Sequence, residues 1–190
     1  MNGVEEISAV LIGRTPLLMH NGVLADPLDE RNIALASVTS KRVKTLADHR
    51  EIARLEWFGG LWLHEGRPCI PGKAIKALMV DAAKTRNRGK SAKRALWVEQ
   101  SAMLQYEGPA DIRELWKDEN FRHRSGVKVH GSTTQRTRAR FPDWKTRISI
   151  QFLTATMNRS EVEEYLHIGG YLIGIGDGRP EHGKFVVQLE

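Results

Sequence analysis

The chain has 190 residues, 41% of them hydrophobic and 27% charged, a balance that predicts a folded globular protein and excludes a collagen-like or disordered chain. No run approaches the roughly 20 apolar residues that a membrane-spanning helix needs, and the single cysteine, Cys69, excludes an internal disulfide and fits a reducing compartment. The formal net charge of +6 suggests an anionic partner without identifying it.

The first predicted elements are a strand and two helices. Residues 5–13 are apolar and β-branched, which predicts a strand, and acids stand where a signal peptide carries Lys or Arg, so we expect a cytoplasmic protein. After a loop rich in Pro, Asn, Gly and Asp, the apolar spacing of residues 29–58 predicts two helices that form an insertion. Thr45 and Asp48 predict a capping box within this stretch.

A hairpin and a third helix follow. Residues 61–70 hold two short apolar stretches around a Glu-Gly-Arg-Pro turn, which is the pattern of a hairpin. Pro71 favours a helix start, because its missing N–H costs nothing there. Apolar residues then recur at helical spacing, with Lys73 and Lys76 on the opposite face of the predicted helix.

The second half of the chain is predicted to hold strands and two helices. Residues 95–106 alternate loosely like a strand, residues 111–118 favour a short helix, and a Ser160–Glu163 capping box predicts a helix to residue 168. Further strands are predicted at residues 127–130, 134–141, 147–153 and 184–189. This order predicts an α+β fold in a single domain spanning residues 1–190: an RRM-like (ferredoxin-like) antiparallel sheet with helices on one face and with helical and hairpin insertions.

Two segments concentrate positive charge. Residues 84–94 hold six basic residues and no acid, which predicts a mobile cationic loop able to neutralise successive phosphates, or else an ordinary solvated loop. Residues 127–147 form a predicted basic edge hairpin whose only acid is Asp143 and which also contains Lys128, His130, Lys145 and Arg147. Since residues two apart in a strand share a face, its three central arginines form a stripe. The residues predicted to bind nucleic acid in the two segments are Arg86, Arg88, Lys90, Arg136, Arg138 and Arg140.

Aromatic side chains near these clusters are candidates for stacking on unpaired bases, as in many single-strand binders. Trp144 directly follows a Pro-Asp turn, and turns are usually exposed, so Trp144 is the preferred stacking residue. Trp97 and Phe141 are instead expected to pack in the core.

A glycine-rich segment, residues 169–184, precedes the last predicted strand. Glycines allow a phosphate chain to approach the backbone, so we predict that Gly176, Gly178, Arg179 and Lys184 bind phosphate oxygens. The segment lacks both the Gly-Lys-Ser/Thr ending of a P-loop and the strand–helix context of a dinucleotide site, which excludes those two nucleotide-binding classes.

Two motifs together resemble a known superfamily. The Ile70–Leu78 segment, IPGKAIKAL, is similar to the Ile-Pro-Gly-Ser-Ser-Leu-Lys-Gly helix start of the RAMP (repeat-associated mysterious protein) superfamily of CRISPR effector backbones. The glycine-rich segment resembles the C-terminal glycine-rich loop of the same superfamily. The resemblance implies an RRM-like subunit of an antiviral effector that lines up with copies of itself along a guide RNA. It also implies that Gly72, Lys73, Ala74 and Lys76 contact the RNA backbone.

The motif departs from the family at two serines, where this chain has Lys73 and Ala74. Hydroxyl contacts are lost and one cation is gained, which leaves single-stranded DNA open as the ligand. The first hypothesis is therefore a non-catalytic subunit that binds single-stranded RNA or DNA and oligomerises along it. A module whose basic faces bind an acidic protein is an alternative from another class.

An endoribonuclease of the same superfamily is a further alternative, with an acid or a histidine in the loop after the first strand. The candidates are Asp26 and His20, whereas turn formation before Pro27 and capping of the next helix by Asp29 explain the acids without catalysis. The spacing of His and Cys residues matches no metal site, so neither a metal nor a cofactor is predicted.

Overall fold

The structure is a computed structural model that describes residues 3–129 and 131–190. His130, which the sequence places in the basic hairpin, lies outside the described residues. Contacts between residues divide the chain into two compact units: Met1–Leu17, Leu63–Glu107 and Pro142–Glu190 form the first, and Leu18–Trp62 and Gly108–Phe141 form the second. The predicted single domain over residues 1–190 stays a prediction.

The elements follow one another in this order: β1 (Val4–Gly13), β2 (Leu17–Met19), α1 (Glu30–Thr39), α2 (Leu46–Gly60), β3 (Leu63–His64), β4 (Arg67–Ile70), α3 (Gly72–Lys84), α4 (Gly89–Ala95), β5 (Leu96–Trp97), β6 (Ala102–Gln105), α5 (Ile112–Lys117), β7 (Arg122–Val129), β8 (Ser132–Phe141), β9 (Lys145–Leu153), α6 (Arg159–Ile168) and β10 (Phe185–Leu189). Short 3₁₀ turns at Gly22–Ala25 and Glu119–Phe121 and a π-helical turn at Gly169–Ile173 complete them.

The first unit contains a ferredoxin-like core. The chain order β1, α3, β6, β9, α6, β10 is a βαββαβ unit, and its strands lie in the spatial order β10-β1-β9-β6, with antiparallel neighbours throughout. The hairpin β3–β4 extends the sheet beyond β6, and β5 pairs with β9. The predicted α+β, ferredoxin-like fold is therefore confirmed.

Alternation along the central strands determines which face of this sheet is buried. In β1 the residues Ile7, Ala9 and Leu11 are almost fully buried, and in β9 every second residue from Thr146 to Phe152 is buried as well. The helices supply the other side of this core, with Leu78 of α3 and Leu166 of α6 both 0% exposed. The helices thus lie on one face, and polar residues of β1 and β9 line the opposite face.

The chain leaves this sheet twice at the same end. β1 and β6 both run antiparallel to β9, and Ile12 and Gln105 both pair with Lys145, the first residue of β9. Residues 18–62 and 108–141 are consequently two insertions that start from neighbouring positions, although they are far apart in sequence.

The two insertions together build the second unit. Its sheet has the order β2-β8-β7, and α2 packs against β8. Trp57 of α2 is fully buried and donates a hydrogen bond from Nε1 to the carbonyl oxygen of Phe121 at 2.7 Å. The capping box predicted from Thr45 and Asp48 is present at the start of α2, so that prediction is confirmed.

Two local predictions are wrong. The capping box of α6 is formed by Asn158 and Glu161, while the Ser160 hydroxyl donates to the Asn158 side chain. β7 begins at Arg122 rather than at residue 127, so the basic hairpin is longer at its first strand than predicted.

Candidate nucleic-acid interface

Helices α3 and α4 form an antiparallel helical hairpin. At one end, Gly89 lies so close to α3 that an added Cβ would be 2.6 Å from Lys84 Cγ. At the other end, an added Cβ at Gly72 would be 2.4 Å from the carbonyl oxygen of Val98, which follows α4 and β5. The buried face of α4 consists of small residues, Ala92 among them, which allow this close approach.

The prediction of a loop over residues 84–94 is therefore wrong. A tight turn at Thr85–Arg88 joins the helices, with the Arg88 N–H donating to the Ala83 carbonyl oxygen at 2.9 Å. Asn87 adopts a left-handed conformation with φ of 58°, which asparagine tolerates better than most residues. Of the six basic residues of this segment, Lys84 ends α3, Lys90, Lys93 and Arg94 lie on α4, and Arg86 and Arg88 lie in the turn between the helices.

Charge on the hairpin is strongly unbalanced, because residues 72–95 contain eight Lys or Arg and a single acid, Asp81. Three of the eight cations are neutralised by acids. Lys84 pairs with Asp81 at 2.7 Å, Arg86 pairs with Glu164 of α6, and Arg88 pairs with Glu161 of α6 at 3.4 Å. Arg88 also donates to the Thr156 carbonyl oxygen at 2.7 Å. Arg86 and Arg88 therefore connect the hairpin turn to α6.

The other five cations form no ion pair with any residue that the structure describes. We call them the hairpin cations: Lys73, Lys76, Lys90, Lys93 and Arg94. All are exposed except Lys76, which is half-buried. Residues three and four apart share a helix face, so Lys90, Lys93 and Arg94 project from one side of α4, and Lys73 and Lys76 project together from α3. Lys93 and Arg94 belong to the predicted cationic segment but were not singled out by the sequence.

Gly72 is buried at the start of α3, and its position has a packing explanation. The carbonyl oxygens of Val98 and Gln100 would lie 2.4 and 2.9 Å from a Cβ at this site. No side chain caps this helix end, where Pro71 is the N-cap residue. Contact of Gly72 with nucleic acid stays a prediction.

The glycine-rich segment lies next to α3. Gly169 contacts Leu78, and Arg179 Nη1 lies 3.6 Å from the Asp81 carboxylate. Glycine is required by close backbone contacts, since a Cβ at Gly183, where φ is 71°, would be 1.7 Å from the Ile175 carbonyl oxygen. Gly176 and Gly178 also have positive φ, and the Lys184 side chain is half-buried. The two motifs that carry the family resemblance are therefore neighbours.

In the second unit, Arg136, Arg138 and Arg140 share a face of β8, as the period of two predicts. The opposite face is buried at Thr137 and Ala139, and β8 lies between β2 and β7, so the predicted edge position is wrong for this strand. Arg136 Nη1 donates to Glu56 Oε1 at 2.6 Å, and the Glu56 side chain is 3% exposed. Arg140 donates to the Asn120 carbonyl oxygen. Part of the arginine stripe thus stabilises the unit itself.

A cleft of about 1100 Å³ in the second unit contains arginines that the sequence did not indicate. Arg50, Arg122 and Arg124 line it together with Arg136. The Arg122 guanidinium lies over the Trp116 ring at 5.0 Å from its centroid, a cation–π geometry. The late predicted start of β7 explains why Arg122 and Arg124 were missed.

For the two tryptophans near the cationic segments, the exposure of the side chain is the reverse of the prediction. Trp144 is only 4% exposed, packs against Gly13 and donates from Nε1 to the Thr15 carbonyl oxygen at 3.0 Å, so the prediction of an exposed stacking residue is wrong. Trp97 is 37% exposed, and its predicted place in the core is wrong as well. Phe141 is fully buried, as predicted.

The two acids Asp26 and Asp29 have structural roles. Asp26 accepts a hydrogen bond from the Leu28 N–H in a turn, and Asp29 caps α1 and pairs with Arg31. His20 is exposed. Within the described part of the chain, no group of three or more His, Cys, Asp or Glu residues is placed to hold a metal ion. Burial raises the pKa of the Cys69 thiol, which keeps it neutral and unreactive.

None of the helices in the described residues combines the length and the apolar character needed to cross a bilayer.

No protein-family model matches the chain, and no curated protein matches it. Among solved structures, the chain is similar to one described as the crystal structure of Cmr6 from Pyrococcus furiosus, with 11% sequence identity and a TM-score of 0.48 over 99% of this chain and 100% of that chain. The strand order β10-β1-β9-β6 defines the ferredoxin-like core.

Proposed function

We propose that the chain is a non-catalytic subunit that binds the phosphate backbone of single-stranded RNA or DNA. The observation that carries this proposal is the set of five hairpin cations, which project from α3 and α4 without acidic partners. Unpaired Lys and Arg side chains on one rigid surface can each replace a counterion of the phosphate chain, and counterion release drives such binding.

A single strand is favoured over a duplex by the family resemblance. The Ile70–Leu78 segment and the glycine-rich segment resemble motifs of CRISPR effector backbones, and they meet in space where Gly169 packs against Leu78. We therefore propose that the chain belongs to a cytoplasmic antiviral effector of this kind, and that Gly176, Gly178, Arg179 and Lys184 extend the surface formed by the hairpin cations.

Fluorescence anisotropy with labelled single- and double-stranded oligonucleotides of equal length tests the binding. The informative variant is Lys76→Gln with Lys93→Gln, which removes one hairpin cation from each helix. The matched control is Lys117→Gln with Arg159→Gln, which removes the same charge from exposed cations that are paired with Glu114 and Glu163. We expect the hairpin variant to bind a single strand at least tenfold more weakly and the control to bind like the wild type. Absence of single-strand binding by the wild type at low salt would refute the proposal.

We also propose that copies of the chain line up along the strand, as the RAMP resemblance implies. Sedimentation of the protein with strands of increasing length tests this part separately, because the number of bound copies should rise stepwise with strand length. A constant ratio of one copy per strand would refute the proposed oligomer and would leave the proposed binding function intact.

A further inference from the structure

The sheet face opposite the helices carries an exposed tryptophan. In an antiparallel pair, residues directly opposite each other point to the same side. Leu96 pairs with Phe152, and both are 0% exposed, whereas Trp97 pairs with Gln151. Trp97 and Gln151 consequently point to the face opposite the core, where 37% of Trp97 is accessible.

Polar side chains surround this ring in rows set by the strand register. Gln151 pairs with Glu6 of β1, so Glu6, Gln151 and Trp97 form a row across three strands. Ser8 and Ser149 form the next row. A cavity of about 360 Å³ lies over these residues, with Gln100 and Arg147 at its wall.

The chemistry of this cavity differs from that of the hairpin cations. Glu6 accepts a hydrogen bond from Gln151 Nε2 at 3.2 Å, and hydrogen bonds from Gln151 and Ser149 lower the pKa of its carboxyl group, so Glu6 is an anion at neutral pH. Glu99 lines the same cavity. Two carboxylates disfavour a phosphate, but together with hydroxyls, amides and an aromatic face they suit an uncharged planar group with N–H donors.

We propose that this cavity is a binding site for an unpaired nucleobase, which stacks on Trp97 and donates hydrogen bonds to the carboxylate wall. The inference rests on the proposed function, because a strand held by its phosphates delivers the base. Carboxylates only accept hydrogen bonds, so bases with an exocyclic amine, namely adenine, cytosine and guanine, should bind better than uracil or thymine.

The test compares a cytosine strand of about 12 nucleotides with an abasic strand of the same length, a span within the usual footprint of a single-strand binding domain. Both strands carry the same phosphates, so only the base site distinguishes them. Wild-type protein should bind the cytosine strand roughly 5- to 150-fold more tightly, the range expected for stacking of one base. Trp97→Leu should abolish this preference, Trp97→Phe should retain most of it, and Tyr171→Ala, which removes a ring that is 76% exposed elsewhere in the same unit, should leave it unchanged.

The base site would be overturned if the preference survives in Trp97→Leu, or if the wild type binds the two strands with equal affinity. In either case, binding of the abasic strand would still uphold the proposed function. If no strand binds, both proposals fail. A second measurement covers the case in which the Trp97 variants do not fold: fluorescence of 2-aminopurine in a strand bound to wild-type protein should be quenched by stacking, and unchanged fluorescence would also overturn the site.

Discussion

The salt dependence of binding is the most direct measure of how many hairpin cations contact phosphate. For single strands, the slope of log affinity against log salt is about −0.7 for each phosphate neutralised, so five hairpin cations predict a slope of about −3.5. Between 50 and 200 mM salt, this slope corresponds to a loss of about 100-fold in affinity.

Removal of two contacts gives a further quantitative expectation. Lys76→Gln with Lys93→Gln should make the slope shallower by about 1.4, to roughly −2. If these contacts add nothing near 1 M salt, the same slope difference makes the variant about 25-fold weaker at 0.1 M salt. Lys76→Arg with Lys93→Arg keeps both charges and should restore most of the affinity.

Anisotropy titrations of a labelled single strand at four or more salt concentrations measure these slopes. Lys117→Gln with Arg159→Gln serves as the control for net charge, because its two cations already have acidic partners. Equal slopes for the wild type and the hairpin variant would show that phosphates bind elsewhere, and the reasoning from unpaired cations would be wrong. A shallower slope for the control as well would mean that only net charge matters.

Three further predictions concern the structure that supports the interface. Gly72→Ala should lower the free energy of unfolding in urea by about 1–3 kcal/mol, because the added methyl group meets the Val98 carbonyl oxygen, and an unchanged value would contradict the packing role. Glu56→Ala should lower the same free energy of unfolding by about 1–3 kcal/mol, because it removes the acceptor of both the buried Thr137 N–H and the partly exposed Arg136 guanidinium. Hydrogen bonds from Arg31 lower the pKa of Asp29 to about 2. The ionised Asp29 carboxylate therefore stabilises α1 fully above the ordinary aspartate pKa near 4, and this stabilisation is lost as the pH falls toward about 2. Circular dichroism should show the corresponding loss of helix in the wild type and not in Asp29→Asn.

Local signals in the sequence were sufficient for much of the fold. The capping box at Thr45 and the helix start at Pro71 depend on residues within a few positions of each other, and both are present. The order of strands and helices then restricted the topology to the ferredoxin-like arrangement that is observed. The α6 box was misplaced because Asn158–Glu161 and Ser160–Glu163 satisfy the same spacing, and only the geometry selects between them.

Helix α4 could not be recognised from its pattern. Its face toward α3 is made of glycine and alanine, including Gly89, Ala92 and Ala95, so no apolar stripe appears in the sequence. These small residues let α4 pack closely against α3, so the helix is stabilised without large apolar side chains. The same segment is rich in charge and contains a glycine, features that also describe a loop.

The roles of the two tryptophans depended on residues distant in the sequence. Trp144 follows a turn, yet Gly13 leaves space for its ring, and a carbonyl group at Thr15 accepts its N–H. Trp97 has apolar neighbours in sequence, but the register of β5 with β9 directs it to the opposite face from Leu96. Neither relationship is visible without the strand pairing.

The distribution of acids, rather than the number of cations, defines the proposed interface. Helix α6 supplies Glu161 and Glu164 to the turn of the hairpin, where they neutralise Arg88 and Arg86. Asp81 likewise pairs with Lys84 and contacts Arg179. What remains positive is the outer side of α4 and the first turn of α3, which both belong to one rigid helical hairpin. The backbone that carries these side chains is already ordered, so binding a phosphate chain costs side-chain entropy only, whereas a mobile loop with the same charge would lose backbone entropy as well.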